Sequence, residues 1–183
     1  MMGLSERNPL LSVLPMSLND QLTRLYNREG LICAAEGLLR GAGGHERWAC
    51  LLTLQVDHLD VIDQVLGRDT ADRFLLLAGV CLREVFQRSA VIGRVALTRF
   101  AVLFLLGGPS AYTVSLNRLN ETIDRHNAHR EIDLSLRGGF SRFETRNPVS
   151  VGHLLNEAEG RLRKSMATAP GALDGEGTSS LGS

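Results

Sequence analysis

Five aspartates fall close together in the chain, at Asp57, Asp60, Asp63, Asp69 and Asp72. Carboxylate oxygens are the ligands that hard divalent cations take, and they accept hydrogen bonds from N–H groups. Aspartates also cap helix starts and complement the helix dipole, so a solvated acidic face is the plainer reading. A second candidate lies in residues 94–106, RVALTRFAVLFLL, where two apolar runs flank Ala96, Leu97, Thr98 and Arg99. This reads as strand, tight turn, strand. Two-residue hairpin turns favour Gly, Asn or Asp, because one or both central residues take positive φ; none of the three is present. Arg99, at the turn, carries a guanidinium that can grip a phosphate bidentately. Its plainer role is a surface arginine paired with a nearby carboxylate.

Periodicity places these residues on elements. Residues 27–39 carry a helical apolar stripe that ends at glycines 41–44. Residues 48–56, WACLLTLQV, form a nearly continuous apolar run, as in a strand buried on both faces. Residues 59–86 read as helix interrupted near Gly67, apolar around much of the second part. Residues 91–95 and 100–106 are the hairpin strands. Residues 111–126 form an amphipathic helix with Val114, Leu116, Leu119 and Ile123 on or near one face. Residues 132–143 alternate as a strand, and 151–166 are a last helix, preceded by Pro148. Strands separated by helices, with one hairpin among them, imply an α/β sandwich whose helices cover a central mixed β-sheet. Residues 1–19 read as a lead-in whose LLSVLP segment (10–15) has unpatterned apolar content, suited to docking on a partner or a second copy. Residues 20–167 form the domain, and 168–183 a small, polar, Gly-rich tail suited to a linker.

The chain of 183 residues has 44% hydrophobic and 22% charged residues and a formal net charge of zero. That is a globular composition. It offers no basic field for nucleic acid. Three separated cysteines, Cys33, Cys50 and Cys81, read as buried thiols rather than a disulfide framework or zinc site. His126 and His129 read as solvated surface. No apolar run is long enough to span a membrane, and the N-terminus lacks the order of a secretion signal, so a cytoplasmic location is expected.

Four stretches together resemble the GGDEF family, the diguanylate cyclases that make cyclic di-GMP from two GTP molecules. DQLTRLYNREGL, residues 20–31, is similar to D-x-L-T-G-L-x-N-R, with Arg24 in place of Gly. The stretch from Leu51 resembles D-x-D-x-F-K-x-x-N-D-x-x-G-H-x-x-G-D. The hairpin falls where the family has R-Y-G-G-D-E-F, and Ala96, Leu97, Thr98, Arg99 and Phe100 occupy that signature. LSLRGGFSRF is similar to the S-I-G segment, with Gly139 as its glycine. The resemblance covers roughly residues 20–166. It implies a sheet of about five strands flanked by helices.

The resemblance also implies what is lost. Metal would be held by the first Asp of D-x-D and by the third signature residue. Gln55 and Thr98 stand there, while Asp57 matches the second Asp. Arg99 would place a positive charge where the cation belongs, a repulsion on the order of several kcal/mol. Ala96 and Leu97 replace the turn glycines. They would be strained at positive φ, and Leu97 would project into ligand space. The phosphate-gripping Lys and Arg align with Met166 and Pro170, and the Lys of F-K with Asp60. The guanine-reading Asn aligns with Asp63, which accepts from N–H groups but cannot donate to O6. The guanine-reading Asp is kept as Asp72. The inhibitory R-x-x-D motif is replaced at Gln87 and Ala90, and Arg88 is one place off. The expectation is a degenerate GGDEF domain with no cofactor and no cyclase activity. It would act as a regulatory or protein-interaction module, paired with itself, with an active GGDEF domain or with another protein of the pathway. The alternative is a non-catalytic receptor for a guanine nucleotide, GTP or cyclic di-GMP, through Asp63, Asp72 and Arg99; a third reading is a working cyclase with an unorthodox site.

Overall fold

Nine consecutive residues, Trp48–Val56 (β1), form the axis of the molecule, and all but Trp48 and Gln55 are buried. The computed structural model describes residues 17–42, 48–86, 90–108, 110–146 and 150–168. Before β1 comes helix α1 (Arg28–Gly41). After it come α2 (Leu59–Leu66), α3 (Arg68–Phe86), strands β2 (Ala90–Ala96) and β3 (Arg99–Leu106), α4 (Tyr112–Asn127), β4 (Leu136–Glu144) and α5 (Val151–Thr168). The lead-in 1–16, Gln87, Arg88, Pro148, Pro170 and the tail from 169 lie outside the described residues, as does the side chain of Met166.

The sheet order is β2-β3-β1-β4, and every strand pair is antiparallel. This corrects the expected mixed, roughly five-stranded sheet to four strands among the described residues. Each helical crossover straddles a strand: β2 runs the same way as β1, but β3 lies between them. Among the described residues, parallel contact survives only as a single bridge from Tyr26 to Gly93 at the outer edge of β2. The last strand starts at Leu136, later than its alternation suggests. Asn127 explains this, because its side chain donates to the carbonyl of Leu134 and accepts from that residue's N–H, at 3.0 and 2.9 Å.

Alternation along β1 and β3 separates two cores. Leu52, Leu54, Phe100, Val102 and Phe104 face α3 and α4, through Phe74, Leu75, Leu82 and Leu119. Leu51, Ala101 and Leu103 face α1 and α5, through Leu31, Ala35, Leu154 and Leu155. Hence α5 rides directly on β4, and a Cβ at Gly139 would sit 3.0 Å from the N of Leu162 and 3.1 Å from the O of Ala158. Three surface expectations need correction. Cys33 is exposed, because α1 buries Leu31 and Ala35 and turns the residue between them outward. Val114 is 62% exposed. His126 is half-buried, with Nε2 3.0 Å from Oε1 of Glu84.

The segment ahead of α1 is held by polar contacts. Asp20 Oδ1 accepts from the N–H and hydroxyl of Thr23, at 2.8 and 2.7 Å. Arg94 pairs with Asp20 at 3.2 Å, and the same guanidinium donates to the carbonyl of Leu97 at 2.6 Å. Asp20 thereby anchors the hairpin turn. Burial alone would raise the Asp20 pKa, but the Thr23 hydrogen bonds and the Arg94 charge outweigh it and hold the carboxyl below its ordinary 3.8. Arg24 sits at φ 58, the left-handed region that its counterpart glycine in D-x-L-T-G-L would enter without strain.

Two outcomes follow. Arg24→Gly should stabilise the fold by about 0.5–1 kcal/mol, the left-handed penalty of an L-residue less the extra chain entropy of glycine. Urea denaturation reads this, and a destabilised variant would contradict it. A carboxyl with a depressed folded pKa contributes stability above its unfolded value and loses it as pH falls through the folded one. The stability gap between wild type and Asp20→Asn should therefore be widest near neutral pH and close below pH 3.8. A gap that widens with acidity would refute that assignment.

Candidate functional site

The turn joining β2 to β3 is made by Leu97 and Thr98, with Ala96 paired to Arg99. A register shift between Arg94 and Ala96 leaves Val95 as an extra residue. Among the described non-glycine residues only Arg24 and His58 have positive φ. The strain expected at Ala96 and Leu97 is therefore absent: the chain turns by a bulge instead of by left-handed residues. Leu97 projects outward, 64% exposed.

Strand register assembles the signature end of the sheet. Gln55 on β1 pairs with Arg99 on β3 and with Arg137 on β4. Alternation puts all three on the face that carries α5. The carbonyl of Thr98 accepts from the N–H of Val56 at 3.0 Å, which fixes the turn against the end of β1. Arg99 lies 3.8 Å from Oε1 of Glu159 on α5, and Arg28 on α1 meets the same oxygen at 3.0 Å. Asp57 is not part of a solvated face. Its side chain is 3% exposed, with Oδ1 2.6 Å from Nε of Arg137 and Oδ2 accepting from Ser135 Oγ at 3.0 Å. Burial of this carboxylate is tolerable because a guanidinium and a hydroxyl satisfy both of its oxygens.

This arrangement does not fit a divalent cation. The two ligand positions carry an amide and a hydroxyl, Asp57 and Glu159 are already engaged by arginines, and two guanidinium groups flank Gln55 in register. No group of three or more acidic, His or Cys side chains suited to a metal occurs among the described residues.

On the other face of the hairpin turn lies a pocket of about 160 Å³. Its walls include Asp63 from α2, Arg68, Asp72 and Leu75 from α3, and Leu97 and Thr98 from the turn. The α2–α3 break at Gly67, φ 86, brings the two aspartates to one opening. Arg68 lies 3.3 Å from Oδ1 of Asp72 and 3.9 Å from Oδ2 of Asp63. Asp72 Oδ1 is nonetheless buried without an aligned hydrogen bond. The expected set is thus divided: Asp63 and Asp72 come together, whereas Arg99 is turned toward Glu159 and does not line this pocket. Asp60 lines it as well, from an exposed position on α2. Ala90 opens β2, far along the strand from the turn.

Sequence reading missed Arg68, Arg137 and Glu159. Arg68 and Asp72 stand four apart on one helix, a legible spacing. Arg137 and Glu159 required the register of β4 and the docking of α5.

Comparison with known proteins agrees with this fold. The family model "Diguanylate cyclase, GGDEF domain" matches residues 17–169. The "Probable diguanylate cyclase DgcC" of Escherichia coli strain K12 is 32% identical over 111 residues, 60% of this chain and 29% of that protein. The chain spans about a third of the length of the curated relatives it matches. The GGDEF domain of TpbB (YfiN) from Pseudomonas aeruginosa superposes with a TM-score of 0.72 at 22% identity, covering 84% of this chain and 91% of that one. Diguanylate cyclase SiaD, in complex with its activator SiaC from the same organism, gives 0.71 at 20% identity, over 84% of this chain and 59% of that one. With an α/β sandwich, an N-terminal Asp20–Arg94 anchor, a signature hairpin and a glycine-packed final helix, the chain belongs to the GGDEF family.

Proposed function

We propose that this GGDEF domain takes part in cyclic di-GMP signalling without cyclising GTP, as a regulatory module that acts through protein contacts. One observation carries the reading: Gln55 occupies a metal-ligand position between Arg99 and Arg137, with Asp57 already held by Arg137. Phosphoryl transfer to a hydroxyl needs the triphosphate charge neutralised and the attacking oxygen activated, work that divalent cations do in this chemistry. The arginines here supply fixed positive charge but no activated oxygen. The partner would be an active GGDEF domain, a second copy, or a separate regulator. SiaD, a protein of the same fold, is bound by an activator protein. The domain would work in the cytoplasm, where such signalling meets its nucleotides.

A second reading, a receptor for a guanine nucleotide, is favoured by the pocket between α2 and α3. Two carboxylates, Asp63 and Asp72, line that cavity beside the Arg68 guanidinium, which gives acceptors and a donor at one opening. The N–H groups of a guanine edge would suit the exposed carboxylate oxygens.

Incubation with GTP and either magnesium or manganese is expected to give no cyclic di-GMP by chromatography, and Gln55→Asp alone should not restore it, because Thr98 and the flanking arginines remain. Product from the wild-type domain would refute the first reading. For the second, Asp72→Ala should weaken GTP binding about tenfold, the loss of a hydrogen bond to a charged group. Calorimetry giving equal affinities would count against it.

A further inference from the structure

We infer that Arg68 is a base-reading residue of the α2–α3 pocket, supplying the hydrogen-bond donor that two aspartates cannot. The inference rests on the receptor reading above and specifies which ligand edge the pocket takes. Asp63 and Asp72, when ionised, accept hydrogen bonds only. A pocket with acceptors alone suits a ligand with adjacent N–H groups and repels one that presents a carbonyl beside them. Guanine presents both: N1–H and the N2 amino group are donors, and O6 is an acceptor. Adenine places an unprotonated N1 where the carboxylates would want a donor.

Arg68 changes this balance. It lines the same pocket, at the start of α3, and its guanidinium lies 3.3 Å from Asp72 and 3.9 Å from Asp63. It contacts both carboxylates by charge without capping the buried Oδ1 of Asp72, which has no aligned donor. Oδ1 of Asp72 is closed off from the cavity, so Asp63 and the exposed part of the Asp72 carboxylate are the acceptors a ligand can reach, while Arg68 relieves their mutual repulsion. The arginine is 59% exposed, so its N–H groups are not used up in a buried pair. Together Asp63 and Arg68 offer one acceptor and one donor, the two halves that a single side-chain amide would offer. A purine with N–H donors beside a carbonyl meets all three side chains.

The decisive comparison is calorimetric titration of GTP and 6-thio-GTP, whose sulfur is a poor acceptor, into wild type and Arg68→Ala. The exposed position of Arg68 leaves the variant folded, which circular dichroism checks. Wild type should prefer GTP by about five- to tenfold, the worth of one charge-assisted hydrogen bond near solvent. Arg68→Ala should bind both nucleotides alike, at the level wild type shows for the thio analogue. If Arg68→Ala keeps the preference, or binds GTP more tightly than wild type, Arg68 is not the donor, and the receptor reading stands without it. If neither protein binds GTP, the receptor reading itself falls and this inference with it.

Discussion

Everything in this domain is referred to one strand. β1 has hydrogen-bonded neighbours on both edges, β3 and β4, and helices over both faces. A strand in that position has no freedom of register, because a one-residue slip would exchange Leu52 and Leu54 with Leu51 and Thr53 between two different cores. The same constraint fixes the polar end of the strand. Once Leu54 faces Phe100 and Gly138, Gln55 must stand between Arg99 and Arg137. The chemistry of the signature end is thus a consequence of how the apolar middle packs.

Charge then decides what that end can hold. Glu159 answers Arg28 and Arg99, and Asp57 answers Arg137. These pairs stitch α1, β3, β4 and α5 together where the sheet ends. Asp57 and Glu159, both mostly buried, need their guanidinium partners more than the partners need them, since an unpaired buried carboxylate is costly. The constellation therefore has a structural use that does not depend on a ligand. A short polar chain from Asp20 through Arg94 to the carbonyl of Leu97 fixes the turn from the opposite side. Leu97 belongs to the walls of two pockets, one on each side of the turn, so the position of that turn shapes both.

Much of this was legible in the sequence. The unbroken apolar run of β1, the break at Gly67 and the strand–turn–strand of the hairpin each follow from local pattern, and each appears where periodicity puts it. The resemblance to the GGDEF family implied a shared role for Asp63 and Asp72, and the two do line one pocket. What local pattern does not carry is pairing. Parallel or antiparallel contact depends on which strand is inserted between two others, and nothing within residues 48–56 or 99–106 announces that β3 lies inside a crossover. The fate of Asp57 was hidden for the same reason. It reads as a helix-start aspartate, and only the register of β4 brings Arg137 to it. The turn shows a third kind of limit. Loss of glycine pointed to strain at positive φ, but the turn avoids positive φ through a bulge at Val95 that depends on both strands at once.

Under the proposed reading, fixed guanidinium charge rather than bound metal characterises the signature end. The most direct measurement is the affinity for GTP in magnesium against that in excess chelator, on the same folded protein. Chelation should leave any binding unchanged or strengthen it, because arginines favour the more highly charged metal-free nucleotide. Binding that appears only when magnesium is present would mean that a cation is held among these residues after all, and would contradict that reading.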